Sequence, residues 1–133
     1  MSAEAPSRGE EHLAPKGTGF PRAARLLKHS DFERVYKQGR RQFCPHMTVF
    51  FLPQAQGAAR VGFTVGRVLG GAVQRNRIKR RLREAVRRQR STLQGAVDVV
   101  INPKKSVLTL EFTLVLEEVG RAFAVIARRL AEK

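Results

Sequence analysis

The chain has 133 residues, 42% hydrophobic and 28% charged, which is enough apolar material for one domain with its own core and too much for global disorder. Lysine and arginine number 26 against 11 aspartates and glutamates, a formal net charge of +15 that points to a polyanionic partner: RNA, DNA or an anionic membrane. No run approaches the roughly 20 apolar residues that cross a bilayer, the first residues lack the apolar centre of a secretory signal, and Cys44, the single cysteine, excludes an internal disulfide and a multi-cysteine zinc site; the expected location is cytoplasmic.

Met1 to Gly19 is punctuated by Pro6, Gly9, Pro15, Gly17 and Gly19, with Leu13 as its large aliphatic residue. Such a segment buries too little to offset its ordering entropy, so residues 1–19 read as a flexible tail and 20–133 as the domain. Its acids Glu4, Glu10 and Glu11 outnumber Arg8 and Lys16, so the basic surplus lies elsewhere.

Ser30-Asp31-Phe32-Glu33 has capping-box spacing, with Ser30 as the expected N-cap. Phe32, Val35 and Tyr36 then share one helical face, and Gly39 is the expected stop. Residues 40–44 carry a weak strand signal. Met47 to Leu52, bounded by Pro45 and Pro53, is β-branched and aromatic and reads as a strand. Arg60 to Val65 alternates, with Val61, Phe63 and Val65 on one face, and reads as another.

From Val73 to about Leu93 the period turns helical: Ile78, Leu82, Ala85, Val86 and Leu93 form one apolar stripe, and Gly95 is its expected end. Val97 to Ile101 is a strand closed by Asn102-Pro103. The last stretch fits two periods. Leu108, Leu110, Phe112, Leu114 and Leu116 alternate as in a strand, while Phe112, Val115, Val119, Phe123, Ile126 and Leu130 keep helical spacing. The helical set is longer and ends in Arg128-Arg129, favourable at a helix C-terminus, so the expectation is a helix from about Leu110. Glu117 and Glu118 are expected at its surface.

Between Arg60 and Arg90 stand ten arginines and Lys79 against one acid, Glu84, so 31 residues hold a net +10 of the chain's +15. Solvated helix faces ordinarily interleave acids as i,i+4 pairs; here only Glu84 can do so, with Arg80 or Arg88. At 100° per residue, Asn76, Lys79, Arg80, Arg83, Arg87 and Arg90 occupy about a third of the circumference, opposite Ile78 and Leu82. Arg77, Arg81 and Arg88 flank the stripe around Glu84. One side of the helix suits packing on a sheet, and the other suits a row of guanidinium groups along a phosphate backbone, each able to take two oxygens. Asn76 is either a helix-start cap or a donor and acceptor for a base edge. The glycine-rich Gly62 to Gly71 segment is neither a Walker loop nor a dinucleotide fingerprint and reads as a strand-to-helix turn.

Gly62-Phe63-Thr64-Val65-Gly66-Arg67, followed by Gly70-Gly71-Ala72-Val73-Gln74-Arg75-Asn76-Arg77-Ile78-Lys79-Arg80-Arg81-Leu82-Arg83-Glu84, closely resembles the signature of the bacterial ribonuclease P protein subunits. The resemblance extends over roughly Arg25 to Leu130. It implies a single-domain α+β sandwich of the ribosomal protein S5 domain 2-like type, with a sheet of about four strands, three helices and a left-handed βαβ crossover. It also implies a subunit of a ribonucleoprotein endoribonuclease that removes the 5′ leader of precursor tRNA. In that family the RNA subunit is catalytic and holds Mg²⁺, and the protein, at one copy per RNA, has no catalytic residue of its own. Carried onto this chain, contact with the ribonuclease P RNA falls on Arg67, Arg75, Asn76, Arg77, Lys79, Arg80, Arg83 and Arg87. The leader-binding aromatics fall on Phe32, Tyr36 and Phe50. Stacking of unpaired bases needs no sequence code and suits a subunit that accepts every leader; ordinary core packing is the competing reading for Phe32 and Phe50, whereas the Tyr36 hydroxyl needs a polar partner. Two departures stand out: Gly66-Arg67-Val68 replaces the family's common Ser-Lys-Lys, and Gly71 replaces a lysine.

Elsewhere His12, His29 and His46 are scattered, Cys44 with His46 makes only a two-ligand pair, and no paired carboxylates suggest a protein-held metal. Precursor tRNA and ribonuclease P RNA are the expected partners, with no membrane. The rival readings are a structural RNA-binding protein of ribosomal or RNA-chaperone type with no processing role, and a DNA-binding regulator, which the strands upstream of the basic helix disfavour.

Overall fold

The computed structural model describes residues 24–26 and 28–132; the expected tail lies outside them. In chain order the elements are α1 (His29–Gln38), β1 (Arg40–Phe43), β2 (Met47–Pro53), β3 (Arg60–Phe63), α2 (Ala72–Gln89), β4 (Val97–Pro103) and α3 (Phe112–Ala131). Short 3-10 turns occupy Arg67–Leu69, Arg90–Thr92 and Lys105–Leu108. The strands form one mixed sheet in the order β1-β2-β4-β3. β2 runs antiparallel to β1 and β4, while β3 and β4 are parallel, so β3, α2 and β4 make a βαβ unit. With three helices and four strands in one sheet, the α+β architecture is the expected one.

Side chains alternate across the strands, and the two faces have different company. Met47, Val49 and Phe51 of β2 and Val97, Val99 and Ile101 of β4 point to the main core, where they meet the stripe Ile78, Leu82, Ala85 and Val86 of α2 and the apolar side of α3. Full burial of each large aliphatic side chain is worth about 1.5–3 kcal/mol. That anchoring allows α2 to keep a strongly cationic outer side. On the other face Leu26, Val35 and Val100 are buried, with Phe32, Tyr36, Phe50 and Leu52 packed around them. The sheet is therefore sandwiched between α1 and the α2–α3 pair.

Three local expectations are corrected, while the stop at Gly39 is found. α1 begins at His29, with Lys28 in the cap position and no side-chain cap bond, so Ser30 caps nothing. Arg34 Nη2 donates to Asp31 at 2.8 Å, and His29 Nε2 lies 3.3 Å from Glu33. Gly39 does end α1, but with an extended φ of −82°. It is needed for closeness, since a Cβ there would lie 2.5 Å from the Val35 carbonyl oxygen and 2.6 Å from that of Phe51. α2 ends at Gln89 and passes through a 3-10 turn before Gly95. Finally, Glu117 is exposed but Glu118 is buried. Its carboxylate accepts the His46 N–H at 2.8 Å, because the turn between β1 and β2 lies over α3 and that amide has no strand partner. Burial, reinforced by Glu118, pushes the neighbouring Cys44 thiol above its ordinary range.

Candidate nucleic-acid interface

The first component is the outer side of α2. On the side away from the buried Ile78 and Leu82, Asn76 and Arg80 are exposed and Lys79, Arg83 and Arg87 are half-buried; exposed Arg77 flanks the stripe, and half-buried Arg75 lies one turn before Ile78 on the stripe's own side. Asn76 lies in the fifth position of the helix, whose cap is Gly71, so it is not a helix-start cap and stands on the outer side. Arg67 is exposed on the 3-10 turn that leads into α2. The structure thus gathers the eight predicted residues on one helix and its entry turn.

Within that set the cations differ. Burial, and then the guanidinium groups of Arg83 and Arg75, push the Lys79 ammonium below its ordinary value. Arg87 is compensated: its Nε donates to Glu84 at 2.9 Å. Arg88 Nε reaches the same carboxylate at 2.7 Å. These bonds hold the Glu84 carboxyl at about 2, Arg87 contributing most. Glu84 therefore takes Arg87 together with Arg88, not Arg80. Arg81 turns inward, its guanidinium donating to the Leu110 carbonyl oxygen at the start of α3.

The second component is the sheet face that carries α1. Tyr36 and Phe50 meet edge to face, with ring centroids 4.9 Å apart at 87°. The Tyr36 hydroxyl lies 2.6 Å from Thr64 Oγ1 and donates to Asn102 Oδ1 at 2.9 Å, so its partner comes from within the protein. Both rings remain half-buried. Phe32 belongs to the packing of this face: a Cβ at Gly62 would stand 2.5 Å from its ring, so the absence of a side chain on β3 makes the seat for it. The predicted trio is brought together, with Tyr36 and Phe50 in contact and Phe32 toward the covered end.

That covered end is closed by charge. Asp98, fully buried on β4, accepts from Arg60 Nε at 2.9 Å and Nη2 at 2.8 Å. Arg34 lies 3.6 Å from the same carboxylate, and Arg60 lies 3.5 Å from Asp31. Two acids and two arginines thus neutralise one another, and α1 is tied to the sheet. At the open end the face shows Thr48, Thr64 and Asn102, with Arg41 and Phe43 from β1. Sequence reasoning missed the last two, since alternation in a four-residue strand is a faint signal; only pairing of Arg41 with Phe50 and of Phe43 with Thr48 reveals their side of the sheet.

An arginine-lined helix on one face of a mixed sheet and an aromatic cleft on the other define an α+β nucleic-acid-binding protein. The sequence profile of the family described as Ribonuclease P matches residues 20–127. The ribonuclease P protein component of Desulforapulum autotrophicum is 37% identical over 109 residues, covering 82% of this chain and 93% of that protein. That of Desulfovibrio desulfuricans is 38% identical over 115 residues, covering 84% and 88%. Among solved structures, the RNase P protein of Staphylococcus aureus is similar with a TM-score of 0.69 at 25% identity, covering 79% of this chain and 96% of that one. The RNase P protein from Thermotoga maritima gives 0.69 at 28% identity, covering 75% and 94%. The chain belongs to the ribonuclease P protein family. This membership does not favour the structural RNA-binding alternative. No helix among the described residues is long and apolar enough to cross a membrane.

Proposed function

We propose that the chain binds ribonuclease P RNA through the outer side of α2 and the 5′ leader of precursor tRNA through the aromatic face, and so assists RNA-catalysed hydrolysis of the phosphodiester that joins the leader to the tRNA. The observation that carries this reading is the cationic row on α2, in which no acid among the described residues pairs with Lys79 or Arg80, standing opposite the stripe that fixes the helix to the core. Arginine forks hold phosphate without reading sequence, and the rings of Tyr36 and Phe50 offer faces to unpaired bases. Asp31 on α1 and Asp98 on β4 are engaged by Arg34 and Arg60. The Mg²⁺ ions of the reaction are accordingly assigned to the RNA subunit and no catalytic residue to the protein. One protein per RNA, acting in the cytoplasm, completes the proposal.

Reconstitution tests it. The chain alone leaves precursor tRNA intact; mixed with a bacterial ribonuclease P RNA at low Mg²⁺, it restores 5′ cleavage. Absence of stimulation at saturating protein overturns the reading.

A further inference from the structure

The aromatic face does not end at Phe50. Arg41 on β1 stands with its guanidinium 5.9 Å from the centroid of the Phe50 ring and 5.1 Å from that of Phe43. Tyr36, Phe50, Arg41 and Phe43 therefore form a continuous series of flat groups running from α1 to the outer strand of the sheet. Its last member is the most open of the three rings: Phe43 is 73% exposed, whereas Tyr36 and Phe50 are half-buried. A large ring left in water beside a guanidinium keeps one face free for a planar partner, and the cation favours a polyanionic one. Arg41 is the cation that stands over the ring, and it is itself exposed on this strand. Arg41 and Phe43, two residues apart on a strand, are separated by about 6.6 Å, close to the reach of one extended nucleotide.

We propose that Phe43, with Arg41 packed against it, is an outer stacking position that holds one unpaired leader nucleotide beyond those at Tyr36 and Phe50. The proposal rests on the leader reading of the same face and adds to it the number of nucleotides engaged. The base stacks on the open face of Phe43, and Arg41 meets the adjoining phosphate. Recognition is by ring and charge, so the position accepts any base.

The test uses the reconstituted holoenzyme and precursor tRNAs with leaders shortened one nucleotide at a time. Phe43→Ala is expected to weaken binding of long-leader precursors about tenfold, with no change for the shortest leaders or for mature tRNA. Phe43→Trp is expected to retain the affinity. The chain has no tryptophan, so the new indole is a single reporter, and its fluorescence should be quenched only by leaders long enough to reach it. Because Phe43 is exposed, the variants fold, as their melting curves will verify. Equal affinity of Phe43→Ala and the parent at every leader length overturns the proposal, as does an equal loss for mature tRNA. If Tyr36→Ala shows leader dependence and Phe43→Ala does not, only the outer position is lost; if neither does, the leader reading falls with it. If Phe43→Ala instead dissolves a dimer seen by sedimentation of the parent protein, the ring belongs to a second copy and the proposal is wrong.

Discussion

Arg80 and Arg87 lie only about 20° apart around α2, yet their electrostatic situations differ. Arg80 is exposed, while Arg87 is bonded to Glu84. If Arg80 neutralises one phosphate, Arg80→Ala should reduce the slope of log affinity against log salt for ribonuclease P RNA by about 0.7–0.9. Arg87→Ala should reduce it by less, because Glu84 already neutralises that cation; a salt series in filter binding compares the two. Glu84 has a folded value of about 2 against an ordinary 4.5. Its contribution is therefore complete above the ordinary value and is lost as pH falls toward 2. The carboxylate is 36% exposed, so the contribution is about 1 kcal/mol or less. Thermal melting should show Glu84→Gln slightly less stable than the parent at pH 7, with the gap closing near pH 2. On the opposite face, Tyr36→Ala should weaken precursor binding by about 1–3 kcal/mol if a base stacks there. Mature tRNA should bind the parent and this variant alike in the same equilibrium assay.

At the scale of elements, α1 is held by the Asp98 cluster and by the seat at Gly62. Removal of one partner of a buried ion pair leaves the other stranded, at a cost of about 3–5 kcal/mol. Arg60 is 35% exposed, which places Asp98→Ala near the lower bound, about 3 kcal/mol by urea denaturation. Gly62→Ala should cost about 1–3 kcal/mol, the range for an overpacked site, because the Phe32 ring must move. β3 was legible from alternation, β2 and β4 from β-branched and apolar runs closed by proline, and α2 and α3 from helical spacing. The wheel also placed Asn76, Lys79, Arg80, Arg83 and Arg87, while the family resemblance supplied Arg67, Arg75, Arg77 and the rings of Phe32, Tyr36 and Phe50. Local pattern failed where the deciding partner is distant in sequence. Glu118 is buried by an amide 72 residues away, and the side of the sheet taken by Phe43 depends on strand pairing. The cap at Ser30 failed for another reason: the helix already begins at His29, which puts Ser30 inside its first turn.

For the molecule as a whole, cations outnumber acids 26 to 11. Asp31, Asp98, Glu84 and Glu118 bond groups of the same chain, and the net +15 is left to repel itself. Screening should relieve this: raising salt from 10 to 150 mM, which shortens the Debye length from about 30 to 8 Å, should raise the melting temperature by a few degrees. A melting temperature that falls or stays level would show that the folded chain carries little repulsion.

The placement of α1 on one side of the sheet and α2 on the other has a metrical consequence. The slab between them is a gauge block: packed strands neither stretch nor slide, so the offset between anchor and aromatic groove is a constant of the fold, set by side-chain volumes in the main core. Enlarging a residue such as Val99 would alter that calibration without touching either working surface.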